Sequence, residues 1–491
     1  MKTMTQKLLT LILALNIGLQ PVWLQAASNL PDIGSPADAI LPKSQEAALG
    51  RSIIREIRRQ GVIVNDPELT EYVQSIGHRL AAQVNNGDFE FEFFVVDNPQ
   101  INAFALPGGY IGVHTGLIEA SGNEDELAGV LAHEIAHVTQ RHIARAVHAN
   151  QRAGLLNLAT MLGAIIAATA ANAGGEGIEA AIMSSQALQV QNQINFTRSN
   201  EYEADRVGVA TMAAAGFNPG GMADFFATLS RGAGPAASRV PEFLRTHPVN
   251  SARIAESRGR ARDYGTVETD NSTGYDLAKA RLKARRFSDK AFTQPIGTSN
   301  GDFDRYAHAL VLLGDLKHDE AAEIFEDLVT RHPEVISYRI GLGQSLAGQD
   351  DHLGAIEIMQ AATELFPRNI PLSVAYGQVL IDAGRPDDAH RLLLDLFNTV
   401  PPTLDQVRLI TRAAIEAGEV AEAHYYQSEY NIMLGDLVGS ITMLRKALDL
   451  PELSAIQIAR FEARIETVSE YLSDEQRRQL QMRKKRKARN G

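Results

Sequence analysis

No cysteine occurs anywhere in the 491 residues, which excludes disulfides and an acylated N-terminal cysteine of the bacterial lipoprotein kind. Stability must therefore come from the core and from any metal the chain binds. Positive charge is also scarce: 47 Lys and Arg stand against 59 Asp and Glu, a net charge of −12. That balance argues against a nucleic-acid partner, which needs a basic surface. No Gly-rich loop carries the Lys and Ser/Thr that cradle phosphates, so nucleotide chemistry has no support. Long apolar runs are missing too. The segment "GLLNLATMLGAIIAATAANAGG", residues 154–175, is nearly uncharged, but much of it is Ala, and Asn157, Thr160, Thr169 and Asn172 interrupt it. A spanning helix is not expected there. Two readings stay open for it: a mobile helix or lid beside an active site, pressing on a membrane or a partner, and a plain buried core helix.

What is present describes a globular chain, 45% hydrophobic and 22% charged, long enough for two or three domains. Its start pairs Lys2 and Lys7 with an apolar stretch from Leu8 to Leu19, then Pro21, Ala26 and Ala27. The pattern predicts a secretory signal peptide over residues 1–27, because an apolar core of about 12 residues is too short for a span of about 20.

The stretch "GVLAHEIAHVTQRH", Gly129 to His142, carries the first sign of chemistry. Its flanks, "NEDELAGVLAHEIAHVTQRHIARAV", predict one long helix opened by Asn123 or a nearby acid. His133 and His137 then share a face one turn apart and can aim two imidazoles at one metal ion. Glu134, about 100° round the helix, can reach the attacking water without taking a ligand position. A catalytic zinc needs a third protein ligand and one open position. "SNEYEADRVG", Ser199 to Gly208, reads as a second helix, on which Glu201 can ligate the metal. Asp205, one turn on, can accept the outer N–H of a ligand histidine and fix its tautomer.

Ahead of these helices, residues from about 36 to 82 read as helical, with Asn65, Asp66 and Pro67 opening "NDPELTEYVQSIGHRLAA" and His78 structural. "FEFEFFVVDN" and "AFALPGGYIGVHTGLI" predict a small sheet. Ile111 to Thr115 is the candidate edge strand for an extended peptide, with His114 expected at the surface.

"INAFALPGGYIGVHTGLI", "HEIAH", "EYEAD" and "THPVNSARI" (Thr246 to Ile254) occur in that order. In these residues the chain resembles the M48 zinc metallopeptidases, and within them the periplasmic beta-barrel assembly-enhancing type that joins the peptidase to tetratricopeptide repeats. The resemblance implies His133, His137 and Glu201 as zinc ligands and Glu134 as catalytic base. It also implies a polar supporting role for Asp205, often described as a proton donor, although its spacing better suits a residue that orients a ligand. His247 matches a histidine that lies near the metal in this family. Pro248 restricts it to extended conformations and so places it on a loop. There it either fills the fourth position, holding the enzyme latent, or stands back and hydrogen-bonds the developing oxyanion; the latent role is favoured.

Beyond residue 301 a period appears. Pro333, Pro367 and Pro401 are 34 apart, as are Ala321, Ala355, Ala389 and Ala423, the tetratricopeptide spacing. Gly343 and Gly377 occupy the motif glycine positions, whereas the motif tryptophan is absent from every repeat. Four helix pairs are predicted, the last degenerate or capping, with "YNIMLGDLVGSITMLRKALDLP" out of phase. Such a solenoid has a concave face that binds other polypeptides.

The expected fold class is therefore an α+β zinc metallopeptidase domain, helical with a small sheet, followed by an all-α tetratricopeptide-like solenoid. Its expected layout is a signal peptide at 1–27, the M48-like peptidase at 28–260, a linker with a helix at 261–300, repeats at 301–470 and a basic tail at 471–491. For the tail two readings stay open: a solvated extension, or contact with anionic lipid headgroups at a membrane surface. The resemblance implies one Zn2+ per chain, a periplasmic location, misassembled outer-membrane polypeptides as substrates, and outer-membrane assembly machinery docked through the repeats. The rival expectation is a chaperone or scaffold with a latent, mainly structural zinc site.

Overall fold

Residues that mark helix starts in the sequence act as caps in the structure, a computed structural model that describes residues 41–84, 87, 89–149, 198–232, 241–265, 269–288, 301–480 and 482. The expected signal peptide, the apolar 154–175 segment and residues 483–491 of the basic tail lie outside those residues. Helix α1 spans Lys43–Gln60. Asp66 caps α2 (Pro67–Ala81), its carboxylate accepting the Glu68 and Leu69 amides, and Pro67 fills the first turn, where its missing N–H costs nothing.

Three strands follow, β1 (Glu92–Val96), β2 (Ala103–Ala105) and β3 (Tyr110–His114). They lie in the order β1-β3-β2, with β3 parallel to β1 and antiparallel to β2. Strand β3 is therefore central, and the expectation that Ile111–Thr115 forms an edge is corrected. After β1 the chain crosses outward to β2, then turns back through Pro107–Gly109, where Gly108 takes a positive φ of 83°, and β3 is inserted between its neighbours. Both faces of the sheet are covered. Ile111 and Val113 join a core with α2, whereas Phe94 and Val96 pack with α1 residues Ile53, Ile54 and Ile57. His114 is accordingly buried, at 1% exposure, and not at the surface as its strand position suggested.

Short helix α3 (Thr115–Ala120) leads to α4 (Glu124–Thr139), whose first turn is capped by the Asn123 side chain. The helix carrying "HEIAH" is not the single long rod the sequence suggested. It stops at Thr139, Arg141 takes a left-handed φ of 54°, and a new helix, α5 (His142–Ala149), begins. A non-glycine residue held there stores strain, and its surroundings must impose it. Here Arg141 is buried, donating from Nη2 to the Leu41 carbonyl at 2.7 Å and to Glu46 Oε2 at 3.1 Å.

Helix α6 (Arg198–Ala214) and helix α7 (Gly220–Gly232) pack on α4. The α7 contact is close because Gly129 has no side chain: a Cβ there would lie 2.7 Å from Met222 Cα. A one-turn helix α8 (Glu242–Thr246), α9 (Ser251–Asp263) and α10 (Thr273–Ser288) follow. Tyr275 of α10 belongs to the core of the N-terminal domain, while Leu277, Ala280 and Ala284 of the same helix belong to the core that begins the repeats. Helix α10 is thus shared between the two.

Four helix pairs keep the 34-residue phase: α11 (Asp302–Gly314) with α12 (His318–Arg331), α13 (Ile336–Gly348) with α14 (His352–Leu365), α15 (Ile370–Asp382) with α16 (Pro386–Phe397), and α17 (Leu404–Glu416) with α18 (Val420–Met433). Ala321, Ala355 and Ala389 are fully buried and Ala423 nearly so, as close approach within a pair requires. A fifth pair, α19 (Leu437–Leu448) and α20 (Ala455–Glu470), is one more than the four expected. The longer connection from Asp449 to Ser454 separates its two helices, so each starts one residue off the 34-residue period, α19 early and α20 late. Among the described residues, no helix is long and apolar enough to cross a membrane.

Candidate metal centre

Helix α4 is buried along nearly its whole length, so its histidines face other side chains and not water. His133 Nε2 and His137 Nε2 lie 3.0 Å apart. Helix α6 crosses them and brings Glu201, with Oε2 3.6 Å from His133 Nε2 and Oε1 3.6 Å from His137 Nε2. The loop after α8 adds His247, whose Nδ1 is 3.3 Å from His133 Nε2 and 3.2 Å from the Glu201 carboxylate. Each of the four residues is at most 2% exposed, and their donor atoms all fall within 4.8 Å of one another.

These separations test whether a metal fits. A tetrahedron with zinc–ligand bonds of about 2.0–2.1 Å has edges of roughly 3.3–3.4 Å. Five of the separations among these residues, 3.0, 3.3, 3.2, 3.6 and 3.6 Å, lie close to that value, with both Glu201 oxygens contributing. Three imidazole nitrogens and one carboxylate form an N/O set suited to zinc. The four residues can surround one ion, with His247 as a fourth donor beside the three from the helices.

The remaining predicted residues lie around this cluster. Glu134 is 1% exposed, and its Oε1 has no hydrogen bond, His247 Nε2 being 3.5 Å away. The Ala105 backbone amide, on β2, lies on the same carboxylate's side and slightly favours its charged form. Burial pushes the Glu134 carboxyl above the usual range, against the opposing pull of His247 and His133. Asp205 does not join the donor set. Its Oδ1 lies 3.0 Å from His133 Nδ1, near enough to hold the ring, although the angle is poor for a hydrogen bond.

Sequence reasoning gave no role to Arg253. Its guanidinium is 1% exposed and donates to both Asp205 oxygens, each at 2.7 Å, to Glu201 Oε2 at 2.8 Å and to the Pro248 carbonyl at 2.9 Å. It thereby ties together the helix that supplies Glu201, the residue behind His133 and the loop that carries His247. Burial raises the cost of charge on Asp205 and Glu201. Arg253 and His133 outweigh it at Asp205, and the neighbouring His247 and His133 do so at Glu201, so both carboxyls are held below their ordinary range. The available signal was "NSARI" after "THPV", with Asn250 capping α9 so that Arg253 falls in its first turn.

A second unassigned residue is His142. The break at Arg141 turns its ring edge-on to His137, with centroids 4.8 Å apart and Nδ1 2.8 Å from His137 Nδ1. Burial pushes His142 down to about 4, Glu203 opposing.

Comparison with known proteins agrees with this geometry. The profile of peptidase family M48 matches residues 67–261, and tetratricopeptide profiles match 306–370 and 346–412. A putative beta-barrel assembly-enhancing protease of Vibrio cholerae is 35% identical over 447 residues, 89% of this chain and 92% of that one. The chain belongs to peptidase family M48. The beta-barrel assembly-enhancing protease of Escherichia coli K12 is 33% identical over 471 residues, 93% of this chain and 95% of its own. Mitochondrial metalloendopeptidase OMA1 of Schizosaccharomyces pombe is 30% identical over 185 residues, 38% of this chain and 51% of that one. The first two relatives run through both the M48 domain and the repeats, so the α+β domain followed by a solenoid is the architecture of this member of the family.

Proposed function

We propose that the protein is a zinc-dependent endopeptidase of the periplasm, acting on misassembled outer-membrane polypeptides, with its repeats docking it to outer-membrane assembly machinery. The observation that carries the catalytic part is the buried cluster of His133, His137, Glu201 and His247, with Glu134 Oε1, which accepts no hydrogen bond, beside it. Zinc held there supplies Lewis acidity to the scissile carbonyl and to the attacking water. Glu134 takes the proton from that water and later passes it to the leaving amine, a role that its raised carboxyl suits. Asp205 and Arg253 act through His133 and Glu201, holding both in place. Strand β2, at the edge of the sheet beside β3 and with the Ala105 amide near Glu134, replaces β3 as the strand along which an extended substrate would lie. Support for the substrate class comes from the relatives of Vibrio cholerae and Escherichia coli, named beta-barrel assembly-enhancing proteases, for the location from the signal-peptide pattern at the N-terminus, and for docking from the repeats.

His247 sets the resting state in this reading. It occupies the fourth vertex and stands over Glu134, so water and substrate reach the site only after its loop moves. The same filled vertex favours a second reading, a scaffold whose metal site is structural and closed. Digestion of an unfolded model protein with and without a chelator separates the two. The endopeptidase reading expects cleavage that a chelator and Glu134→Gln each abolish; cleavage that survives both refutes it, and no cleavage from any variant, His247→Ala included, supports the scaffold.

A further inference from the structure

Among the described residues, a carboxylate stands directly behind the first histidine of the cluster, whereas an imidazole stands behind the second. Asp205, itself clamped by Arg253, backs His133. Behind His137 lies another imidazole, His142, with Nδ1 facing Nδ1 at 2.8 Å. His142 Nε2 in turn lies 3.2 Å from Glu203 Oε2. That oxygen also accepts from Arg145 Nη1 and Nη2, each at 2.9 Å, and Arg145 is anchored further by Asn200 Oδ1 at 3.1 Å.

We infer that His142 and Glu203 form a positioning relay for His137, fixing the tautomer and ring orientation through which it ligates the metal. This rests on His137 being a ligand, as proposed above. To offer a lone pair at Nε2, His137 must carry its proton on Nδ1. That N–H donates to His142 Nδ1, which fixes the His142 proton on Nε2, and this second N–H donates to Glu203. Every donor in the chain meets an acceptor, and it ends on a carboxylate that Arg145 keeps charged. The two histidines of "HEIAH" are thus both backed by a carboxylate and an arginine, His133 directly and His137 through one intervening ring.

The strained backbone at Arg141 serves this arrangement. On an uninterrupted helix, residues five apart point about 140° away from each other, and His142 would face away from His137. The left-handed turn at Arg141, imposed by Leu41 and Glu46, folds α5 back so that the two rings meet. A strained residue that persists where the fold over-determines it is a sign of function, and here its product is the 2.8 Å contact.

Partners of this kind behind a ligand histidine typically govern metal affinity by about 10–100-fold. The test uses the full chain and zinc alone, with affinity read by chelator competition and site geometry read from the visible spectrum of the cobalt-substituted protein. His142→Phe keeps a ring but cannot pass the hydrogen bond; it is expected to weaken zinc binding by about 10–100-fold and to shift the cobalt bands. His142→Gln, which can accept from His137 and donate to Glu203, is expected to restore most of the affinity, a rescue that packing alone would not produce. Glu203→Ala, at a side chain 25% exposed and so tolerant of change, is expected to weaken binding less than His142→Phe but in the same direction. Wild-type affinity and cobalt spectrum in both His142→Phe and Glu203→Ala, in a chain where His137→Ala loses zinc, overturns the relay alone. Zinc retained by His137→Ala overturns the ligand assignment and the relay with it.

Discussion

In the proposed mechanism His247 decides between an open and a closed site, because one ring meets both the donor cluster and the base. With the fourth vertex filled, His247→Ala is expected to raise basal, chelator-sensitive cleavage of the protein itself or of bystanders, and Glu134→Gln to abolish it in either background. Turnover that falls in His247→Ala with zinc still bound would assign the ring to oxyanion stabilisation instead. A residue away from the cluster contributes to the response to acid. His114 is buried with no well-formed hydrogen bond at either ring nitrogen, and burial pushes it down to about 4, with only the Gln100 backbone opposing. Unfolded, it titrates near 6.5, so between these values the unfolded chain binds the extra proton. Stability from a neutral His114 is therefore complete above pH 6.5 and is lost as pH falls through about 4, a loss of about 3 kcal/mol. Urea midpoints measured from pH 7 to pH 4.5 should fall more steeply in the wild type than in His114→Leu, whatever their difference at pH 7; parallel curves would refute this.

At the scale of elements, the contact between α4 and α7 holds the cluster's main helix in place. Gly129→Ala would set a Cβ 2.7 Å from Met222 Cα, against backbone and not a yielding side-chain tip. Thermal unfolding should show a loss of about 1–3 kcal/mol; a neutral result would mean the helices can separate freely. How far these elements could be read beforehand depended on the kind of signal. His133, Glu134, His137 and Glu201 were legible because a helix converts spacing of four into shared direction, and the structure brings those residues together. Strand order was not legible, because β1, β2 and β3 follow one another in sequence while β3 lies between its predecessors. The break at Arg141 was equally hidden. "TQRHIAR" contains no glycine or proline, and the turn is imposed by Leu41 and Glu46, about a hundred residues earlier. His142 therefore had no visible link to the site, and Arg253 lay in a motif with no visible partner.

Among the described residues, the peptidase part and the repeats meet at several places along the solenoid. Arg281 of α10 donates to Asp66 at the α2 cap, to Glu68 and to Tyr306 of the first repeat helix, at 2.6 to 2.9 Å. Helix α15 touches α2, and Arg59 of α1 donates to the Leu434 carbonyl beyond the fourth pair. The solenoid is therefore packed on the peptidase and does not hang from a tether. Arg281→Met should remove about 2 kcal/mol of stability, since it takes the guanidinium away from two carboxylates that are less than a fifth exposed. It should also speed protease nicking between the two parts. Unchanged melting and nicking would show the junction to be held by apolar packing alone. Removing everything after residue 300 would also uncover Leu277, Ala280 and Ala284 on α10, so the isolated peptidase part is expected to melt lower than the full chain while keeping its donor cluster.

The account stands on four side chains meeting at one metal ion, and the zinc K-edge absorption spectrum of the full chain tests that most directly. It predicts one zinc per chain with three imidazole nitrogens and a carboxylate oxygen in the wild type, and one of those nitrogens replaced by a water oxygen in His247→Ala. A chain that binds no zinc, or a shell that keeps three imidazoles after His247 is removed, would contradict it.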